Sequence, residues 1–207
     1  MAHETTRPYH HGKLREELLA AAEAELEAGG LEGFSLRRVA KRAGVSHAAP
    51  THHFGDTSGL LTALAAVGFA RFLDAMETEA RQVDGCARAK LIASGRGYIR
   101  FALKHPALFR LMFSSGRPDP SNETLRKASR RAFDHLVGSV GAMVPGAQPA
   151  RVGVIAAWAA AHGVADLAST AKFQTLADAM AQEHTDAATA VLELLIPQQF
   201  PAVGDAE

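Results

Sequence analysis

The sequence predicts an all-α fold of about nine helices: a compact N-terminal trio followed by a larger helical domain. Three observations carry this expectation. Apolar residues recur three and four positions apart through almost the whole chain, and strand-like alternation is nearly absent. The interruptions fall where glycine or proline stands, at Gly29-Gly30, Gly44, His105-Pro106, Gly116 to Pro120, Pro145 to Pro149 and Pro197. With 207 residues, 47% of them hydrophobic, the chain is long enough to bury roughly 70% of its unfolded surface. It needs no covalent staples.

The elements follow in order. From Lys13 to Ala28, Leu14, Leu18, Ala21, Ala22 and Leu26 lie on one helical stripe. Ser35 is a suitable N-cap for a short second helix that buries Leu36, Val39, Ala40 and Ala43 and stops at Gly44. Ser46 is placed to cap a third, ending near Phe54. Asp56 opens a long fourth helix, whose Leu60, Leu61, Leu64, Val67, Phe69, Phe72 and Met76 keep a period near 3.6 as far as Arg81. At 1.5 Å per residue it is about 40 Å long, enough to bridge two modules. Further helices are expected at about 86–104, 105–114, 121–144, 149–169 and 175–196, with frayed ends at 1–8 and 198–207. The division expected is 1–56 and 57–207.

Composition excludes several classes. Net charge is zero, so this is no polycation. The single Cys86 rules out a disulfide framework and a four-thiolate zinc site, and fits a reducing cytoplasm. No secretory signal pattern opens the chain. The longest uncharged apolar stretch, Val152 to Ala165, is shorter than the ~20 residues that cross a bilayer, so no membrane partner is expected. Glycine-rich phosphate loops, nucleophile elbows, His-Glu-x-x-His helices and paired catalytic carboxylates are all missing, which argues against an enzyme and against a cofactor. His105, His135, His162 and His184 contain no pair four residues apart, so no metal is expected.

The charges are unevenly spread. Arg37, Arg38, Lys41, Arg42, His47, His52 and His53 share a window without a carboxylate, whereas Glu16 to Glu32 holds six glutamates and no basic residue. On charge alone this is either a small nucleic-acid-facing surface or a solvated helix face. Spacing decides. Across Leu36 to Ser46 one helix ends and another begins at once; Ala40 is small where helices touch, Gly44 can turn left-handed, and Val45 fills the apolar corner. That is the pattern of a helix-turn-helix, whose second helix enters a DNA major groove.

These residues carry a resemblance. Tyr9 to Arg15, Phe34 to Ala40, Ala43 to Pro50 and His53-Phe54 resemble the N-terminal domain of the TetR family of bacterial repressors. Gly97 to Phe101, Pro106 to Phe113 and Trp158 to His162-Gly163 are similar to the regulatory domain of its Trp-His-Gly subgroup. The resemblance implies a C-terminal ligand-binding and dimerisation domain, and a homodimer built on the last two long helices. Such a dimer binds a palindromic operator and is released by a small, largely apolar effector. Gly153, Ala156, Ala157, Ala159, Ala160 and Ala161 allow close helix approach, and Val191, Leu192, Leu194 and Leu195 supply apolar area. The same alanines also suit an ordinary internal helix.

The family's DNA contacts map onto Ser35, Arg37, Ser46, His47, Ala48, Thr51, His52, His53 and Thr57. A guanidinium at Arg37 suits a phosphate or a groove edge, His47 and Thr51 lie one turn apart, and Ala48 offers a methyl to thymine. Thr51 stands where the family usually has tyrosine, and Gly55 and Thr57 where proline and lysine are common, so phosphate anchoring is expected to be weaker. Histidine partly offsets this, and operator affinity is expected to rise as pH falls. For the effector the candidates are Phe101, Leu108, Phe109, Met112, Phe113, Phe133 and Trp158, with His162 as a polar handle. Each can equally be a core residue. A ligand-independent architectural DNA binder and a helical small-molecule-binding protein or enzyme stay open as alternatives.

Overall fold

The computed structural model describes residues 9–144, 146, 148–169 and 185–200. The described residues form nine helices: α1 (Tyr9–Gly29), α2 (Leu36–Ala43), α3 (Ala49–Phe54), α4 (Thr57–Arg81), α5 (Ala87–Lys104), α6 (Pro106–Phe113), α7 (Glu123–Gly141), α8 (Arg151–Ser169) and α9 (Thr185–Leu195). Residues 175–184 of the expected last helix, His184, and the expected frayed ends at 1–8 and 201–207 lie outside the described residues.

Local chemistry sets most boundaries. Ser35 caps α2 by accepting the Arg38 backbone N–H at 3.3 Å, and Asn122 caps α7 by accepting that of Leu125 at 3.1 Å. Asp56 caps α4, taking the Gly59 N–H at 2.8 Å. The third helix departs from expectation: it starts at Ala49, and Ser46 makes no side-chain cap. The reason is Pro50. A helix begun at Ser46 needs the residue-50 N–H to close its first turn, and proline has none. The Ser46 carbonyl instead accepts from Ala49 N–H at 3.0 Å, holding Ser46 to Ala48 in a tight turn.

α4 runs through the molecule and packs on α1, α3, α5, α6 and α7. Leu60, Leu61 and Leu64 at its start meet Leu18, Ala22, Leu26, Phe34 and Val39 of the N-terminal trio in the same buried cluster. Its later turns carry Phe69, Phe72 and Met76 into the C-terminal region. α4 therefore belongs to both halves. By length and composition α4 and α8 are apolar enough to cross a membrane; α4 is mostly buried as the central helix of the core, and α8 buries its Gly153, Val154, Ala157, Ala161, Val164, Ala165 and Ala168 side.

Three glutamates of the acidic run on α1 hold neighbouring helices. Glu25, 3% exposed, takes Arg42 at 3.0 Å and Arg38 on its other oxygen. Glu23 pairs with Arg71 of α4 at 2.6 Å, and Glu27 accepts the free N–H groups of Ala107 and Leu108 at the start of α6, each at 3.4 Å. α1 is thus tied to α2, α4 and α6 by three successive glutamates.

Candidate nucleic-acid interface and ligand cavity

The turn between α2 and α3 is built as its residues require. Gly44 adopts φ 69°, and a side chain there costs roughly 1–2 kcal/mol. Its N–H donates to Lys41 O at 3.2 Å while Val45 N–H donates to Ala40 O at 3.1 Å, closing the end of α2. Val39, Ala40 and Pro50 are buried, so α2 and α3 are pinned against α1 and α4. The end of α3 also lies very close to the start of α4: a Cβ on Gly59 would stand 2.0 Å from the Phe54 carbonyl oxygen. The first turn of α4 and the end of α3 thus leave no room between them for a side chain at this position.

What faces outward is narrower than the charge pattern implies. Arg38 and Arg42 turn back to Glu25, leaving Arg37 and Lys41 as the exposed cations of α2 without a carboxylate partner among the described residues. Ser46, His47, Ala48, Thr51 and His52 are exposed on one side of the turn and of α3. His53 is half-buried, its ring edge-on to His52 at 5.5 Å and tilted against Phe54 at 6.2 Å. Ser35 is occupied as a cap, and Thr57 lies half-buried at the first position of α4. Arg15 of α1 stands over the Phe54 ring at 5.2 Å, bracing the end of α3.

The C-terminal region holds a cavity of about 770 Å³ between α4, α5, α7 and α8. That volume suits a drug-sized organic molecule. Phe69, Phe72 and Met76 of α4 form one wall, Leu91 and Tyr98 of α5 the floor, and Ala157, Trp158 and Ala161 of α8 the far side. Of the residues expected from sequence, Phe113, Phe133 and Trp158 line it. Phe101, Leu108 and Phe109 are 5%, 0% and 1% exposed in the packing behind it, and Met112 packs by its sulfur against Gly68 of α4. Aromatic contacts hold this layer: Phe72 meets Tyr98 edge-on at 4.6 Å and Phe109 meets Phe113 at 4.9 Å.

Two polar pairs sit at the lining. The Tyr98 hydroxyl meets His162 Nδ1 at 2.6 Å and accepts from Trp158 Nε1 at 3.4 Å, and the His162 ring also packs against Phe113 and Trp158, so His162 stands behind these three lining residues. Burial pushes the Tyr98 hydroxyl well above its usual range, which the Trp158 bond only partly opposes, and keeps it protonated. Ser94 lies 3.0 Å from His135 Nε2. Burial lowers the pKa of His135, with Glu77 opposing, so near neutral pH it is an uncharged imidazole. His105 lies apart, where Glu23 and Arg71 meet, and burial lowers its pKa too, with Arg71 adding and Glu23 opposing. Phe69, Phe72 and Met76 were expected in the core, since periodicity marks an inward face without saying whether it meets another side chain or open space. The α7 residues Arg126, Lys127, Arg130 and His135 gave no signal separable from a solvated helix.

The comparisons with known proteins agree with this geometry. Residues 18–64 match the family profile described as bacterial regulatory proteins, tetR family, and residues 91–194 match a tetracyclin repressor-like C-terminal domain. No curated protein matches the sequence significantly. A solved Rhodococcus sp. RHA1 protein of unknown function is similar at 34% identity over 92% of this chain and 100% of its own, with a TM-score of 0.69. A TetR family transcription regulator from Marinobacter aquaeolei VT8 shares the fold at 19% identity, covering 92% of this chain and 98% of its own, with a TM-score of 0.65. A reading head of this form, continuous with a helical domain that the second profile matches, makes the chain a member of the TetR family of bacterial transcription regulators, DNA-binding proteins rather than enzymes.

Proposed function

We propose that the protein is a homodimeric, ligand-responsive repressor that works in the cytoplasm and leaves its palindromic operator when a small, largely apolar effector fills the C-terminal cavity. The observation that carries this reading is the shared helix. α4 presents Phe69, Phe72 and Met76 to the cavity and, at its other end, Gly59 to the carbonyl of Phe54 in α3. A ligand that shifts α4 therefore re-aims α3, and a coupling of about 1–3 kcal/mol gives 5- to 150-fold relief. The cavity favours this reading over a ligand-independent architectural role, which has no use for one.

In this reading Arg37 and the exposed face of Ser46, His47, Ala48, Thr51 and His52 contact the operator, while His53 and Thr57 reach phosphates at its edge. The dimer face is proposed on α8 and α9. Val152 (63% exposed), Ile155 (60%) and Leu167 (42%) lie on one and Leu194 (87%) on the other, beside exposed Ala156 and Ala159. So much exposed apolar area marks an interface. Of the other small and apolar residues expected there, Gly153, Ala157, Ala161 and Leu192 are buried within the subunit.

The test is selection of an operator from a random pool, followed by gel shifts and sedimentation. A two-fold symmetric site bound by a dimer is expected, with Arg37→Ala weakening it about tenfold. A monomeric species, or the absence of any enriched sequence, overturns the reading. Affinity for that operator is expected to be higher at pH 6 than at pH 8 at fixed salt; equal affinity removes histidine from the anchoring.

A further inference from the structure

The charged groups lining the cavity are confined to one stripe. Glu123, Arg126, Lys127 and Arg130 all lie on the same side of α7, at intervals of three and four, and Phe133 continues the stripe one turn on. The other walls are apolar or carry only neutral polar groups: Ser94 beside His135, and Tyr98. Lys127 is paired with Glu123 at 2.6 Å and Arg130 with Asp134 at 3.3 Å, in both cases between exposed side chains that are weakly tied. Arg126 has no carboxylate partner among the described residues. The lip of the cavity is therefore net positive, and aromatic surface begins next to it: Phe133 is 42% exposed and Trp158 39%.

We infer that the effector is an amphipathic anion, whose head group rests on Arg126 and Arg130 and whose apolar body passes Phe133 and Trp158 into the cavity. A wholly apolar effector leaves these cations without a role, and a cationic one meets like charge at the entrance. The head is a carboxylate or a phosphate ester; both are planar or tetrahedral oxyanions that an arginine fork can hold. The inference rests on the effector reading above and goes further by naming the chemical class.

The full-length protein carries its own reporter, since Trp158 is the only tryptophan and lines the cavity. Its emission is titrated with decanoate, decyl phosphate, decan-1-ol and decylamine, four probes with one tail and different heads. Operator binding is followed in parallel. Decanoate or decyl phosphate is expected to bind about fivefold or more tightly than the alcohol, and the amine most weakly. The tighter anion names the head group. Arg126→Gln with Arg130→Gln is expected to bring anion and alcohol to equal affinity, whereas Glu123→Gln widens the gap, and 0.5 M salt narrows it. An alcohol that binds as well as both anions, or an anion preference that survives the double arginine change, overturns the inference. Operator release by the alcohol and the anions alike overturns the head-group assignment alone. A clear anion preference without operator release leaves that assignment standing and overturns the effector reading.

Discussion

The two ends of the molecule are fastened by the same device and used in opposite ways. In the head, the buried carboxylate of Glu25 gathers Arg38 and Arg42; in the C-terminal region, the buried Glu79 of α4 gathers Arg96 at 2.9 Å and Arg100 of α5. Each clamp joins two helices at the edge of a core. In the head, apolar side chains meet one another, from Leu18 and Leu26 through Val39 to Leu60, and the groups available for recognition point out. In the C-terminal region the aromatic side chains point in and stop short of closing, leaving about 770 Å³. One region is a rigid piece with its chemistry outside; the other is a shell with its chemistry inside. α4 has a foot in each, so perturbations on either side of it separate the two roles.

Gly59→Ala is expected to have the largest effect. The new methyl meets a backbone oxygen at 2.0 Å, and neither partner is the flexible end of a side chain, so α3 must leave its seat on α4. Operator affinity is expected to fall about 100-fold, or ~3 kcal/mol, in gel shifts. The Trp158 response to cavity ligands stays as in the parent, because the walls formed by Phe69 and later residues are untouched. Loss of both functions together would show that head and shell fold as a single unit.

Glu25→Ala comes next. It strands two arginines that share one buried carboxylate. Because they are themselves 54% and 41% exposed, the penalty is well below that of a fully buried pair. A loss of about 1–3 kcal/mol in urea unfolding is expected. Glu79→Ala removes the corresponding clamp and is expected to cost at least as much, since Arg96 is only 18% exposed. Similar stability losses with different functional ones, operator binding for Glu25 and ligand response for Glu79, would confirm the division of labour.

The difference between the regions also governs what could be read from sequence. The head is legible because its determinants are local: Ser35 caps three residues ahead, and Gly44 turns the chain beside Val45. Even there Pro50 shifted the start of α3, a local effect outweighed in the sequence reading by the attractive cap at Ser46. Arg38 and Arg42 looked outward-facing because Glu25 is 17 positions from Arg42, and the periodicity of α1 does not state which glutamate turns inward. The cavity was half legible. Phe113, Phe133 and Trp158 were found because aromatic and soft apolar groups there exceed what a small core needs, while Phe101, Leu108 and Phe109 met the same criterion and are packed solid. Whether an inward aromatic meets a neighbour or a void depends on the spacing of helices far apart in sequence.

Ala161→Phe tests the shell from inside. Ala161 is 5% exposed and lines the cavity, so a phenyl group there occupies space otherwise open to a ligand. Ligand affinity is expected to fall about tenfold, one such step being ~1.4 kcal/mol, with operator affinity changed less than twofold. The variant is then expected to stay on its DNA when ligand is added. Operator affinity that falls instead would mean that filling the cavity itself mimics the effector, an equally direct measure of coupling through α4.

The smallest expected effect is on acid stability, and it falls on the cavity and on the junction between the two regions. Burial lowers the pKa of His135 at the cavity and of His105 at the junction of α1, α4 and α6. The folded protein thus resists a proton that the unfolded chain accepts near pH 6.5. Below that pH the unfolded state binds more protons, so the contribution of both groups turns against folding as pH falls from 7.5 to 5.5. His135→Asn removes one titrating group while keeping an amide that can face Ser94, and is expected to flatten this acid slope in thermal melts. A steeper slope in the His135 variant would mean that the imidazole is held charged within the fold and would reverse the assignment of its neutral form.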